Sequence, residues 1–325
     1  MTRSGPVPRA QRAPGVVDVH AHQMDPEVFH GGSPRLQTVN ATEGLLHPAG
    51  GQGVPRRVSS VMWSVEDRLR ELDRASISRQ VISPVPAVME HAWTADPPYA
   101  QLVNDSIASS CAAAGGRLIG LGCVSRQGWR RDLEQCVRLE LRGIEVGSRQ
   151  GDLDLDDPDL DGLWRECEQA GLCIFVHPVA GGRGVIRRSG LRLDMGLGML
   201  TDTSLAATAL VFGGVLERYP LLRVALAHGG GTFPWVYPRL RDLGGTVSDP
   251  AEGTRWDMLA RRLYVDTLVL DVEHLTLLRH RFGDDRIVLG SDCPFLPTEM
   301  VGAIVRGSED TAALLTDNAL GWLGI

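Results

Sequence analysis

The stretch VVDVHAHQ, residues 16–23, is where the reading of this chain begins. An apolar run ends in two of the nine histidines, one residue apart. Side chains at i and i+2 of an extended strand point the same way, so His20 and His22 would leave one face at the strand's C-terminal end. Two imidazoles aimed at one point suggest a metal. A surface strand ending in two solvated histidines would carry the same short motif, so the decision falls to the rest of the chain.

Seven more short apolar runs follow: RQVISPVP (79–86), RLIGLGCVS (117–125), LRGIEVGS (141–148), GLCIFVHP (171–178), LRVALAHGGG (222–231), RLYVDTLV (262–269) and DRIVLGSDCPF (285–295). Helical patterns lie between them, at 64–75, 129–140, 158–171, 204–220 and 271–283. The first has Ser64 as a cap, Asp67 three residues on, and Val65, Leu69 and Leu72 at helical spacing. Eight strands alternating with helices predict an α/β fold, a closed (β/α)8 TIM barrel. No GxGxxG follows the first strand, which counts against a doubly wound open sheet. Residues 30–60 break the rhythm and predict a long loop or small subdomain inserted after strand one. The domain plan is a disordered leader over 1–15 and a single barrel over 16–325.

The chain has 325 residues, is 43% hydrophobic and carries a formal charge of −7. Its mild acidity argues against nucleic acid as a partner. No apolar run approaches the roughly 20 residues of a membrane helix, so no membrane partner is expected. The N-terminus is basic and rich in Pro and Gly, without the apolar core of a secretory signal. Six cysteines without CxxC pairs suit reduced thiols and a cytoplasmic location. There is no lysine. A Schiff base, a lysine general base and a carbamylated-lysine bridge are therefore excluded, and any anion clamp is arginine.

On the predicted barrel, His20 and His22 end strand one, His177 ends strand five, His228 ends strand six and Asp292 ends strand eight. Strand C-termini of such a barrel converge on one face, where catalytic groups gather. One histidine alone is commonly a packed or capping residue, and one GSD a turn. Five such residues at strand ends of the same polarity point to a metal centre.

This constellation resembles the amidohydrolase superfamily. FVHP, AHGGGTFPWVYPRL, LYVDTLVLD and IVLGSDCPF, with LRELDRASISRQVISPVP upstream, are similar to the 2-amino-3-carboxymuconate 6-semialdehyde decarboxylase family, from about residue 16 to the end of the chain. The resemblance implies one divalent metal, usually zinc, held by His20, His22, His177 and Asp292, with water at the open position. It implies His228 as acid/base, with Asp292 also part of the catalytic machinery. It places the carboxylate-binding arginine at Arg56 or, one residue on, at Arg57. Arg239 matches an arginine that such enzymes lend to a neighbouring subunit, which implies a homodimer; pairing with Asp242 on its own helix is the alternative. Binuclear members use a lysine or glutamate on strand four. Glu145 stands there and could bridge a second metal, contact substrate or form an ion pair.

Two departures from the family bear on substrate. The segment after His177 is rich in Gly and Arg (183, 187, 188 and 192) and lacks Trp, and residue 293 is Cys where an aromatic is common. Both suggest a pocket of different shape and more positive potential, taking a more anionic small-molecule carboxylate; a solvated loop is the alternative for the arginines. The expected reaction is nonoxidative decarboxylation of an unsaturated or aromatic acid through metal-activated water and a histidine acid/base. Hydrolysis of an amide or lactone, or hydration, on the same scaffold is the alternative, and a non-catalytic binding barrel is a third.

Overall fold

The structure is a computed structural model that describes residues 15–29, 38–47, 56–95, 97–179, 194–244, 250–296 and 309–325. Residues 1–14 of the leader expected over 1–15, and the arginines at 183, 187, 188 and 192, lie outside the described residues.

All eight apolar runs form strands, most of them shorter than the run. They are β1 (Val16–Asp18), β6 (Ile77–Pro84), β7 (Leu118–Gly122), β8 (Gly143–Gly147), β9 (Cys173–His177), β10 (Val224–Leu226), β11 (Tyr264–Asp266) and β12 (Ile287–Val288). They pair in chain order, every pair parallel. Parallel bridges at Asp18–Leu289 and Ala21–Cys293 bring β12 back to β1. The result is a nearly closed eight-stranded barrel, as the alternation of runs and helices predicts. Its strands read as continuous apolar runs because both faces are covered.

Two apolar layers hold the strands. Inside the barrel, Val17, Val19, Val81, Leu121, Phe175, Ala225 and Val288 form one cluster. Outside, Ile82, Ile144, Val146, Ile174 and Val176 pack against the helices. The C-terminal helix, Glu309–Leu323, closes the bottom. Its Trp322 is fully buried beside Phe175, 5.9 Å between ring centroids, and its indole N–H donates to the carbonyl of Ile174.

Strand one departs from simple alternation. Asp18 pairs with Gln80, but beyond a break His22 in β2 (His22–Gln23) pairs with Ser83, so four residues of strand one span three of β6. This bulge changes the phase of the side chains. Below it Val17 and Val19 fill the lumen, and above it His20 and His22 both face the lumen as well. The two histidines therefore converge, through a bulged strand.

The insertion contains a small antiparallel sheet of β3 (Thr38–Asn40), β4 (Leu45–His47) and β5 (Arg56–Arg57). The helix expected over 64–75 runs from Val65 to Ala75 (α2), with the Ser64 hydroxyl accepting the Asp67 N–H as the capping pattern predicts. The helix expected over 204–220 starts earlier, at Met199, and breaks at Gly213 and Gly214 before a short turn at Val215–Arg218. Gly214 has φ +79°, which no helix continues through. With the π-helical turn before it, Met195–Phe212 is apolar and long enough to cross a membrane by length and composition. That corrects the expectation that no run comes near this length. The stretch is 44% buried, and its Ala206, Ala207, Leu210 and Val211 pack into the outer layer as a core helix does.

Trp322→Ala should lower stability by about 3–5 kcal/mol, the cost of deleting a large buried aromatic, measured by urea unfolding. A loss below about 1 kcal/mol would mean the barrel floor does not depend on this side chain.

Candidate active site

At the strand C-termini, one potential ligand atom from each of His20, His22, His177 and Asp292 lies within 4.8 Å of the others. The three imidazoles are buried, with Nδ1 tied in each. His20 Nδ1 lies 2.7 Å from Asp266 Oδ2, His22 Nδ1 3.1 Å from the Pro84 carbonyl, and His177 Nδ1 2.8 Å from the Pro178 carbonyl. A carbonyl can only accept, so Nδ1 carries the proton in His22 and His177, and the carboxylate favours the same in His20. The Nε2 lone pairs are thereby left for the centre of the cluster.

A metal fits this geometry. In a tetrahedral zinc-like site with bonds of roughly 2.0–2.1 Å, neighbouring donor atoms lie roughly 3.3 Å apart. Here His20 Nε2 and His22 Nε2 are 3.2 Å apart, and Asp292 Oδ1 is 3.4 Å from the second and 3.6 Å from the first. Among the described residues, His177 Nε2 and Asp292 Oδ1 are buried without a hydrogen-bond partner, as atoms that ligate a metal would be.

The electrostatics suit the same purpose. Burial, reinforced by the neighbouring His22, His20 and His228, holds His177 well below the usual imidazole range, so it is neutral. Burial tends to raise Asp292, but the facing His22 and His228, with the charge of His20, hold it well below the usual carboxylate range. Burial likewise opposes ionisation of Asp266, and its contact with His20 outweighs this and lowers it. His22 is pulled down by burial and, more strongly, up by Asp292 and Glu145.

His228 stands beside the cluster. Its Nε2 is 3.9 Å from Asp292 Oδ2, and its ring centroid is 5.1 Å from that of His177. It is only partly buried, and its backbone is left-handed, with φ +54°; that of Asp292 is too, with φ +56°. Strained backbone of this kind is concentrated at functional sites. The turn after His228 needs glycine. Gly229 has φ +62°, and a Cβ there would sit 2.3 Å from Val269 Cγ1. Its N–H donates to Asp266 Oδ1 at 2.8 Å. One carboxylate thus orients the His20 ring and holds the turn that presents His228.

Asp266 was not singled out from the sequence, although it obeys the rule that found the others: an acid at the C-terminal end of a barrel strand. Glu145, on β8, is fully buried inside the wall, 3.9 Å from His22 Nδ1, and among the described residues neither carboxylate oxygen has a hydrogen-bond partner. Burial pushes its pKa up to about 8, with His22 and Ser83 acting the other way. Phe295 lies over His22, 5.6 Å between ring centroids. Cys293 is buried against Ala21 and Val61.

The arginines expected at the site are exposed where their side chains are described. Arg57 is exposed on β5, and the side chain of Arg56 lies outside the described residues. Arg239 is exposed on the helix Phe233–Gly244. Among the described residues no acid pairs with it, and Asp242 lies 3.7 Å from Arg241 instead.

A barrel whose strand ends bring three imidazoles and a carboxylate to one buried point is the scaffold of a metal-dependent enzyme. The family model described as Amidohydrolase matches residues 17–325. The chain belongs to the amidohydrolase family. A 2-amino-3-carboxymuconate-6-semialdehyde decarboxylase from Dictyostelium discoideum is 35% identical over 292 residues, 83% of this chain and 79% of that one. The apo crystal structure of Metarhizium anisopliae IDCase shares the fold at a TM-score of 0.80 and 22% identity, over 96% of this chain and 97% of that one. A dihydroxybenzoic acid decarboxylase from Polaromonas sp. JS666, with bound manganese and the inhibitor 2-nitroresorcinol, does so at 0.74 and 19%, over 95% and 97%.

Glu145 generates a pH prediction for the metal-free protein. Burial raises its carboxyl to about 8 in the folded state, against an ordinary value of 4.5. Between those values the folded state binds the extra proton, so stability falls as pH rises through the window. Glu145→Gln should melt near the wild-type temperature at pH 5 and increasingly above it toward pH 8, by calorimetry. Parallel pH profiles for the two proteins would contradict the buried, protonated carboxyl.

Proposed function

We propose that this chain is a metal-dependent carboxy-lyase that removes carbon dioxide, without oxidation, from an unsaturated or aromatic carboxylic acid. The observation that carries the reading is the convergence of His20, His22, His177 and Asp292 with His228 beside them. The decarboxylase names of its relatives support it. A divalent metal held by those four residues would supply Lewis acidity, acidifying water and stabilising negative charge. Zinc is the expected ion from the nitrogen-rich donor set, and the manganese in a structural relative keeps other divalent ions in the test.

The chain's own groups account for the rest. The bond between the carboxylate and its carbon breaks and carbon dioxide leaves, with the electron pair left on the unsaturated carbon. His228 delivers the proton that this carbon takes up, as a positioned histidine acid/base does. Asp292 faces His228 and keeps a negative charge beside it. The ring of Phe295 suits a planar substrate as a wall beside His22. Arg56 would orient the substrate carboxylate from the inserted sheet.

A second carboxylate contact would come from Arg239 of another copy, making the protein a homodimer. Trp235, Arg239 and Leu243 lie at helical spacing on one helix, all exposed, Trp235 at 79%. An exposed tryptophan with an arginine one turn away is typical of an interface centre. Six free thiols, five of them buried, suit a cytoplasmic location.

Protein purified without chelator should hold about one divalent ion per chain. It should release carbon dioxide from muconate-like or hydroxybenzoic acids, and His228→Ala should lower kcat by roughly 100-fold or more while retaining the ion. Hydrolysis or hydration with no carbon dioxide would replace this reading by the alternative chemistry. Mixing inactive His228→Ala with inactive Arg239→Ala tests the dimer. A shared site regains activity in mixed dimers, and a site complete within one chain does not.

A further inference from the structure

Behind the metal ligands, outside the lumen, four polar side chains are buried to 1% exposure or less: Asp18, Arg68, Gln80 and Ser291. They form one chain of hydrogen bonds. Arg68, on α2, donates through Nη2 to the main-chain carbonyl of His22 at 2.6 Å and through Nη1 to Gln80 Oε1 at 2.7 Å. Gln80 Nε2 donates to Asp18 Oδ2 at 2.7 Å. The Ser291 hydroxyl donates to the same oxygen at 2.6 Å. Asp18 Oδ1 accepts the backbone N–H groups of His20 and Ser291, each at 3.1 Å. One carboxylate thus takes four donors, two of them from the residue before Asp292 and one from His20 itself.

The position of this relay is informative. Strand one is bulged between Asp18 and His22, and β12 is two residues long. The bridges between them are single pairs. So short a ladder fixes register weakly, yet three of the four ligands stand on either side of that seam. Burying a guanidinium and a carboxylate is costly in solvation. In return, charge-assisted bonds are short and directional, which an apolar contact at the seam would not be. The polar atoms of the relay reach the ligands' backbone and leave the Nε2 and carboxylate donors free.

We propose that Arg68 is a positioning residue which, through Gln80 and Asp18, sets the spacing of His20 and His22 against Asp292 and with it the geometry and affinity of divalent-metal binding. The inference rests on the metal-site reading above. It assigns a metal-binding role to a residue of the outer helical layer that touches neither ligand atom nor substrate.

Cobalt(II) is the probe, because its visible ligand-field bands report donor geometry independently of turnover. The metal-free wild type, Arg68→Met, Ser291→Ala and, as a control, the exposed Arg74→Met on the same helix are titrated with cobalt(II) in competition with a chelator. Arg68→Met should bind about 10–100-fold more weakly, the usual effect of losing outer-shell support, with displaced bands. Ser291→Ala, which removes one hydroxyl, should shift both in the same direction by less, and Arg74→Met should match wild type. A folded Arg68→Met with wild-type affinity and bands overturns the proposal, even if its melting temperature falls, since that result is a stability role alone. If Arg68→Met does not fold, Ser291→Ala decides by the same two readings. Failure of the wild type itself to bind cobalt(II) overturns the metal-site reading and this inference with it, which separates the two failures.

Discussion

Each ligand imidazole commits its Nδ1 proton to a fixed acceptor, and the rest of the site depends on that commitment. With Nδ1 held by Asp266 or by the carbonyls of Pro84 and Pro178, every ring has one orientation and one tautomer. Only then do three Nε2 atoms face one point within the reach of Asp292. Bringing unpartnered lone pairs together in a buried space is unfavourable by itself. It is sustained by the apolar lumen beneath, where Val17, Val19, Phe175 and Val288 interlock, and by the closed ring of strands, which prevents the ligands from moving apart.

The catalytic face is also where the backbone carries strain. His228 and Asp292 are both left-handed, although neither is glycine. The surrounding contacts explain how they are held. The Asp292 N–H donates to the His20 carbonyl at 2.8 Å, and the Gly229 N–H beside His228 donates to Asp266. His228 and Asp292 are thus locked by bonds to the same strand and the same carboxylate that orient His20. These parts form one mechanical unit, although they lie far apart along the chain.

Much of this could be read from the chain alone. Strands of a parallel barrel are covered on both faces, so they appear as apolar runs, and polar residues at their C-terminal ends stand out against that background. His177, His228 and Asp292 are found in this way. Asp266 escapes because β11 ends there, three residues short of the end of the run 262–269, so the acid looks internal to a strand. The bulge in strand one carries no Gly or Pro to mark it. Strict alternation therefore aims His20 and His22 together but would put Val17 and Val19 on the opposite face, and only the bulge brings all four into the lumen. Arg68 had a signal: it falls between Val65, Leu69 and Leu72 on the apolar stripe of its helix, where a charge needs a buried partner. The partners, Gln80 and Asp18, are visible only once the strands are paired. The inserted sheet is built of strands of two or three residues, too short for any periodicity.

The seam between β1 and β12 has a consequence for how the molecule is made. Strand one is synthesised early and can pair with β6 on one side, but its other edge has no partner until Ile287–Val288 leaves the ribosome. For most of translation the nascent chain carries an open parallel sheet with an apolar lumen and an unprotected edge, the kind of surface that captures other chains. The metal ligands are completed only when the two ends of the sheet meet. The growing chain is therefore most vulnerable to aggregation just before its ligand set is complete, and conditions that slow its final segment would lengthen that interval.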